Sequence, residues 1–485
     1  MRSAETVMDI NSLKELFQKS ADVQFQAYTF CQYKVHFITC DAMIDQQLLN
    51  EVIIQRIQLV FDNREEIPLE ATLLEELHIP DIQKIEDMTE AISLVYTGHL
   101  LLFFEEDQLL FSSNIAKKPN RSPEETRMEV LVKGPRDNFI EDLSVNIALI
   151  RKRLPTNSLC VEKLELGKRS KTAVAILYFD DIADKEILHG IKSRLEKVDT
   201  DIVFSGDLLM ERVNKSSKLF PRVDYTGRPD NAVQSLIRGR FLILVDGVAY
   251  VVITPVNLFL LLKSSEDNES PVFFSSFERL LRLLGIGIGL LLPAFWLALM
   301  TFHQNQMPLQ LLATIVQSNM GLPLPAALEM LLMLLMFELF REAGLRLPSA
   351  IGGTISVVGG LIIGDAAIRA GVTSPAMIVI IAISTIASFT LVNQSLVTAI
   401  GLLRVIFILV TSFLGLFGFF MCIYFTLLYL ANIRTFGVPY LNIATDLNWS
   451  AIKATLFRLP SNDYKERPGM LNPKDKTRTK EDTNE

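Results

Sequence analysis

Between Lys263 and Lys453 the 485-residue chain contains no lysine. Inside that gap, from Leu283 to Ile433, the only Asp, Glu or Arg residues are Glu329, Glu338, Arg341, Glu342, Arg346, Asp365, Arg369 and Arg404. So long a stretch without charge excludes an ordinary solvated surface and is what a hydrocarbon environment selects. Cysteine is scarce as well. Cys31, Cys40, Cys160 and Cys422 are scattered and form no CxxC pair, which argues against a disulfide framework or a metal site and fits a reducing compartment. With five histidines and no Ser/His/Asp set, paired catalytic carboxylates or zinc spacing, there is little on which to build an enzyme, and no cofactor is implied. LELGKRSK at 164–171 lacks the first glycine of a phosphate loop and the hydroxyl residue after its lysine, so it reads as a strand end and turn. The net charge of -8 favours solubility and gives no hint of nucleic-acid binding. The first residues, MRSAETVMDINSLKELF, carry no signal-peptide core, which predicts a cytoplasmic soluble part. The sequons at Asn120, Asn214, Asn393 and Asn448 are then chance matches.

What remains divides by composition. The expected fold class is an α/β soluble N-terminal region of two modules, 1–120 and 121–270, followed by an all-α polytopic membrane domain, 271–433, of four to five spans, and a polar cytoplasmic tail, 434–485. In the first module an amphipathic helix precedes a run with strand alternation, Val23 to Thr39. Ile44 to Phe61 has helical spacing, and His99 to Phe111 reads as a hairpin turning on Glu105 to Asp107. Lys117 to Glu125 is a polar, proline-containing boundary. Beyond it, a strand at Val174 to Phe179 and helices at Lys185 to Val198 and Ala232 to Arg238 predict an α/β sheet packed by helices. Phe241 to Leu262 is apolar enough to suggest a span. Asp246-Gly247 between two β-rich runs instead predicts the last hairpin of the soluble part, with the membrane domain starting near Pro271.

Leu281 to Phe302 is long enough to cross a bilayer, with Pro293 as a kink site and Gly285 and Gly289 as a small-xxx-small pair for close helix packing. His303 to Asn319 has no Lys or Arg and belongs on the far side; Leu324 to Phe340 returns toward Arg341 and Arg346. Ala350 to Ala370 carries five glycines, at 352, 353, 359, 360 and 364, which weaken a helix and are tolerated at membrane depth where protein or water covers them. The segment is either a pore-lining or broken helix or a packing surface. Its pore and gating candidates are Gly353, Ser356, Val357, Gly360, Ile363, Gly364 and Asp365. Ala376 to Val392 and Leu402 to Leu430 complete the set. Five spans would place the two ends on opposite sides although both look cytoplasmic. Either 350–370 does not cross fully, the preferred reading, or the run 398–433 hides an extra turn. Among the ionisable candidates, Glu338 with Arg341, Glu342 with Arg346 and Asp365 with Arg369 have intrahelical pairing distances. Glu329 and Arg404 have no opposite charge at helical spacing and need partners on other helices, other subunits or water, which makes them the stronger functional candidates.

The run LEMLLMLLMFELFREAGLRLPSAIGGTISVVGGLIIGDAAIRAGVTSP, 328–375, resembles the signature of the A-subunit family of bacterial spore germination receptors. GPRDNFIEDLSVNIALIRKRL at 134–154, LELGKRSKTAVAILYFDDIA at 164–183 and RPDNAVQSLIRGRFLILVDGVAYVVITP at 228–255 resemble its soluble region. IASFTLVNQSL at 386–396, FGVPY at 436–440 and the Arg-Pro at 467–468 extend the likeness over nearly the whole chain. Two departures stand out: Leu-Val-Asn in IASFTLVNQSL where many members have a proline, and Asp365 where Gln or Glu is common. The resemblance implies a multi-pass subunit of the inner spore membrane with its N-terminal region on the cytoplasmic, core side. It further implies a transporter-like B subunit and a lipoprotein C subunit as partners. A homo-oligomeric ring, pentameric in the family picture, would form a nutrient-gated ion pore, with the nutrient germinant bound mainly by the B subunit. A secondary transporter, with broken helices and membrane carboxylates, and a membrane scaffold for germination complexes are the alternatives.

Overall fold

The computed structural model describes residues 9–31, 33–62, 73, 77–117, 135, 137–214, 219–346, 362–441, 453, 456–460 and 466–477. Contacts divide the chain into two units, one of Met1–Ser217, Val223–Pro255 and Tyr464–Glu485, the other of Lys218–Arg222 and Val256–Asp463. Residues 256–270, placed with the soluble modules by the sequence reading, fall in the helical unit, and the end of the polar tail returns to the first unit.

The first unit holds two five-stranded sheets. In the first, β1 (Val23–Phe30), β2 (Tyr33–Cys40), β3 (Gln83–Lys84), β4 (His99–Phe104) and β5 (Leu109–Asn114) are ordered β1-β2-β4-β5-β3. β1 and β2 pair from Val23↔Cys40 to Phe30↔Tyr33, so the alternating run is two paired strands, and β4 pairs with β5 from His99↔Asn114 to Phe104↔Leu109, the expected hairpin. Side chains alternate across the sheet. Val35 and Phe37 meet Ile53, Ile57 and Phe61, on a helix that passes through a π-helical turn at Leu49–Ile53 into α2 (Ile54–Asp62). Ile38 and Cys40 face the other way, onto Leu13 and Phe17 of α1 (Ile10–Phe17) and Val95 and Tyr96 of α3 (Met88–Thr97).

The second sheet contains β6 (Leu159–Leu166), β7 (Thr172–Phe179), β8 (Asp224–Thr226), β9 (Phe241–Val245) and β10 (Val251–Thr254), ordered β6-β7-β9-β10-β8. β9 and β10 pair from Phe241↔Thr254 to Leu244↔Val251, with Gly247 at φ 81 in the connecting loop. Asp246 does more than turn the chain. Its Oδ1 accepts from the Leu143 amide at the start of α4 (Leu143–Arg151). Helices α5 (Lys185–Glu196), α6 (Gly206–Asn214) and α7 (Pro229–Ile237) complete this half. All named strand pairs in both sheets are antiparallel, so the helices pack on hairpin-built sheets and do not act as crossovers between parallel strands.

The helical unit contains α8 (Val272–Phe302), α9 (Leu309–Asn319), α10 (Ala326–Arg346), a helical stretch 362–369, α11 (Pro375–Ser388) and α12 (Gln394–Asn432). α8 and α12 are long and apolar enough to cross a membrane. α8 continues through Pro293. α12 does not run straight: Gly415 sits at φ 59, ψ -142. Eight residues of unbroken helix cover about 12 Å. Yet a methyl built on Gly418 would lie 3.0 Å from the Val410 carbonyl oxygen, and the Phe407 and Phe419 rings meet edge-on at 6.5 Å. The two arms of α12 therefore fold back on each other at Gly415. The backbone there is one that only glycine adopts easily, and Phe302 leaves no room for a side chain, with its Cγ 3.0 Å from where a methyl would stand.

Candidate functional site

Two ionisable groups of the helical unit, Glu329 and Arg404, converge on α11. Packing explains why. Gly285 and Gly289 of α8 face α11 as the small-xxx-small spacing predicts: a methyl on Gly289 would be 2.7 Å from Ser388 Oγ, and one on Gly285 would be 2.7 Å from the Ala387 carbonyl oxygen and overlap Thr390 Oγ1. At this close approach Ser384 Oγ of α11 donates to the Gly289 carbonyl at 2.8 Å. The same hydroxyl accepts from Arg404 Nη1 of α12 at 3.0 Å. One serine thus ties three helices together.

Glu329, four residues into α10 and 2% exposed, closes the other end of α11. Its Oε1 accepts from Thr373 Oγ1 at 2.7 Å, from the Ser374 amide at 2.6 Å and from Ser374 Oγ at 3.1 Å. Ser374 is itself the N-cap of α11, its side chain accepting from the Met377 amide. The carboxylate thus faces the positive end of a helix and is stabilised by it. Both residues without an intrahelical charge partner find their contacts on or beside the same helix.

The remaining candidates are less convergent. Glu338 and Arg341 form the expected pair along α10. Asp365 and Arg369 pair at 2.8 Å along 362–369, with side chains 58% and 77% exposed on the single chain. Ile363 is partly buried and Gly364 buried, with Ile378 of α11 in ordinary contact distance of a methyl built on Gly364. Glu342 is exposed, and the side chain of its expected partner Arg346 lies outside the described residues. Gly353, Ser356, Val357 and Gly360 also lie outside the described residues.

Two clusters escape sequence reasoning. At the foot of α8, Asp267 is fully buried and accepts from Arg279 Nε at 2.7 Å and Arg282 Nη1 at 2.7 Å. Arg282 also donates to the Leu262 carbonyl and Arg279 to that of Phe457. A single carboxylate so organises the entry to the first long helix. In the soluble unit, Arg151 is fully buried and grips Asp22 through Nε and Nη2 at 2.8 and 3.0 Å, with its guanidinium 4.0 Å above the Tyr96 ring. Burial works against the Arg151 charge, but the Asp22 carboxylate outweighs it and raises the pKa. Only the FERLLR run with an acidic residue upstream signalled the first cluster. Nothing local signalled the second, since its partners are 129 residues apart.

The helical unit, with two helices long and apolar enough to cross a membrane and buried Glu329 and Arg404 among them, points to a membrane-associated protein. A family model for the Bacillus/Clostridium GerA spore germination protein matches residues 11–470. Spore germination protein XA of Bacillus anthracis is 43% identical over 404 residues, covering 83% of this chain and 82% of its own. Spore germination protein KA of Bacillus subtilis (strain 168) is 32% identical over 483 residues, covering 99% and 88%. The crystal structure of the N-terminal domain of the A subunit of the Bacillus megaterium spore germinant receptor GerK3 superposes with a TM-score of 0.42 at 20% identity, covering 52% of this chain and 98% of that one. The chain belongs to the GerA family of spore germination proteins, the A-subunit family its sequence resembles.

Proposed function

We propose that this chain is the membrane subunit of a nutrient-responsive germination receptor, and that several copies form a nutrient-gated ion channel. In this reading it works with a transporter-like B subunit, which binds most of the nutrient, and a lipoprotein C subunit, in the inner membrane of the spore. The observation that carries the channel reading is the Asp365–Arg369 pair, which stands exposed on the isolated chain. Lipid does not tolerate an exposed ion pair at depth, so this face meets water or another copy. It directly follows the glycine-rich segment 350–361, whose backbone also needs cover.

The contacts favour six crossings. From Glu329 to the end of α10 the helix runs about 26 Å. Thr373 nevertheless touches Glu329 near the start of α10, so by Thr373 the chain is back at that end of the helix. Most of 350–370 lies outside the described residues, and a full crossing there, in place of the partial one preferred from sequence, is part of this proposal. The reversal at Gly415 divides α12 into arms of about 31 and 26 Å, each comparable to the hydrocarbon thickness of about 30 Å. An even number of crossings is what two cytoplasmic ends, the expectation from sequence, require.

The test is cation flux from liposomes holding this chain with its B and C subunits, before and after nutrient. Nutrient-triggered flux is expected, and Asp365→Asn should reduce it severalfold, because a carboxylate near the ion path attracts cations. Equal flux in the variant removes Asp365 from the path; saturable solute uptake without ion current replaces the channel with a transporter.

A further inference from the structure

Arg404 is 1% exposed and lies on the inner face of α12. Its Nη1 meets Ser384 Oγ, its Nε has no hydrogen-bond partner, and no carboxylate lies within ion-pairing distance among the described residues. A guanidinium held by one hydroxyl in an apolar interior is unfavourable and would gain from a carboxylate. Among the described residues, the charges of Glu338 and Arg341 act on it from α10, a helix packed against α12. Glu338 is at present committed to Arg341, its neighbour along the same helix, and its side chain is 43% exposed. Because that pair lies within one helix, leaving it breaks no contact between helices.

We propose that Glu338 is shared in alternation between Arg341 and Arg404, as a two-position ion-pair switch between α10 and α12. In the arrangement seen, Arg404 ties α12 to α11 through Ser384, which also holds α8 through the Gly289 carbonyl. In the other arrangement Arg404 turns to Glu338 and leaves Ser384 bonded to α8 alone. The exchange therefore moves the attachment of α12 from the α8–α11 pair to α10. It needs no change in net charge and no titration. It needs only that the two helices slide enough for one arginine to replace the other. Such a choice between two discrete packings is how interior contacts become bistable elements. The exchange stands on the geometry alone; its use as a gate rests on the channel reading.

The stability test uses the full chain in lipid nanodiscs. In an Arg341→Gln background Glu338 has only Arg404 to turn to. There Glu338→Gln and Arg404→Gln should each lower the thermal midpoint, and the two together should lower it no further than either alone. Additive shifts overturn the exchange. If Arg404→Gln fails to fold, Arg404→Lys keeps the charge and should still couple to Glu338→Gln; a lysine variant without that coupling also overturns the proposal. The gating arm uses the receptor with its B and C subunits. Arg341→Gln frees Glu338 for Arg404 and Arg404→Gln confines it to Arg341. The nutrient concentration for half-maximal ion release should therefore shift in opposite directions in the two variants, and shifts of the same sign overturn the gate. A wild-type receptor that passes no ions sinks the channel reading while leaving the stability result to decide the exchange.

Discussion

Replacing Asp22 with Asn isolates the contribution of the buried ion pair in the soluble unit. The substitution keeps the shape of the side chain and one carbonyl oxygen but removes the charge that holds Arg151. That guanidinium cannot reach water, being fully buried, and Asp22 is itself 2% exposed. Its other contacts survive: the Thr156 carbonyl at 3.0 Å, Ser20 Oγ at 3.3 Å and the face of Tyr96. Removing one partner of a buried pair is destabilising by about 3–5 kcal/mol, and the surviving contacts place this case near 3 kcal/mol. For a unit of this size each kcal/mol lowers the melting temperature by about 2–4 °C, so a fall of about 6–12 °C is expected. Thermal unfolding of the full chain in nanodiscs measures it. Hydrogen exchange locates it, because Arg151 sits beside the parallel bridge where the Ala21 amide bonds to the Val161 carbonyl at 3.0 Å and the Val161 amide to that of Lys19 at 3.1 Å. Those two amides should lose protection first. Replacing both partners with apolar residues, Asp22→Leu with Arg151→Met, should recover most of the loss, since the penalty comes from the orphaned charge. A melting temperature within about 2 °C of wild type in Asp22→Asn, or a double variant no better than the single, refutes the reasoning.

Other expectations follow from contacts already described. Gly289→Leu should be destabilising by about 1–3 kcal/mol and loosen α8 from α11, whereas Gly287→Ala, with nothing within 4 Å of its added methyl, should be neutral in the same thermal assay. In the β4–β5 turn, hydrogen bonds from Lys34 and then His36 hold Glu105 down at about 2, below its ordinary value of 4.5. A depressed carboxylate stabilises the fold fully above its unfolded value and loses that contribution as pH falls through its folded value. Glu105→Gln should therefore flatten the stability profile of the first sheet between pH 4.5 and about 2, followed by circular dichroism; an unchanged acid profile would count against the pairing.

Local patterns were legible where one face of an element had to be buried. Alternation in Val23 to Thr39, the acidic turn after HLLLFF and Asp246-Gly247 between apolar runs each led to a hairpin that the chain forms. The glycine pair of α8 was legible for the same reason, because spacing alone puts Gly285 and Gly289 on one helix face. Strand direction was not legible: helices between strands suggest crossovers, and only the register shows both sheets to be antiparallel. Gly415 was hidden because one glycine in a long apolar run looks like any other, and its positive φ is a property of the backbone. The partners of Glu329 and Arg404 lie 44 and 20 residues away along the chain, beyond any periodic pattern. What the sequence did supply was that neither could be satisfied along its own helix.

The last described stretch, 466–477, belongs to the soluble unit although it follows every apolar helix. The Lys474 amide bonds to the Ile182 carbonyl at 3.0 Å, Arg467 Nε donates to that of Ile237 at 3.1 Å, and Leu471 is 1% exposed beside Gly239. On the ribosome, these residues emerge only after α8 to α12 have been made. The first unit is therefore left unfinished until the apolar helices have emerged, and a chain broken off among them lacks residues 466–477. Completion of this unit thus waits on synthesis past α12, and a protease that probes the Gly239 surface would distinguish chains that have passed residue 477 from chains broken off before it.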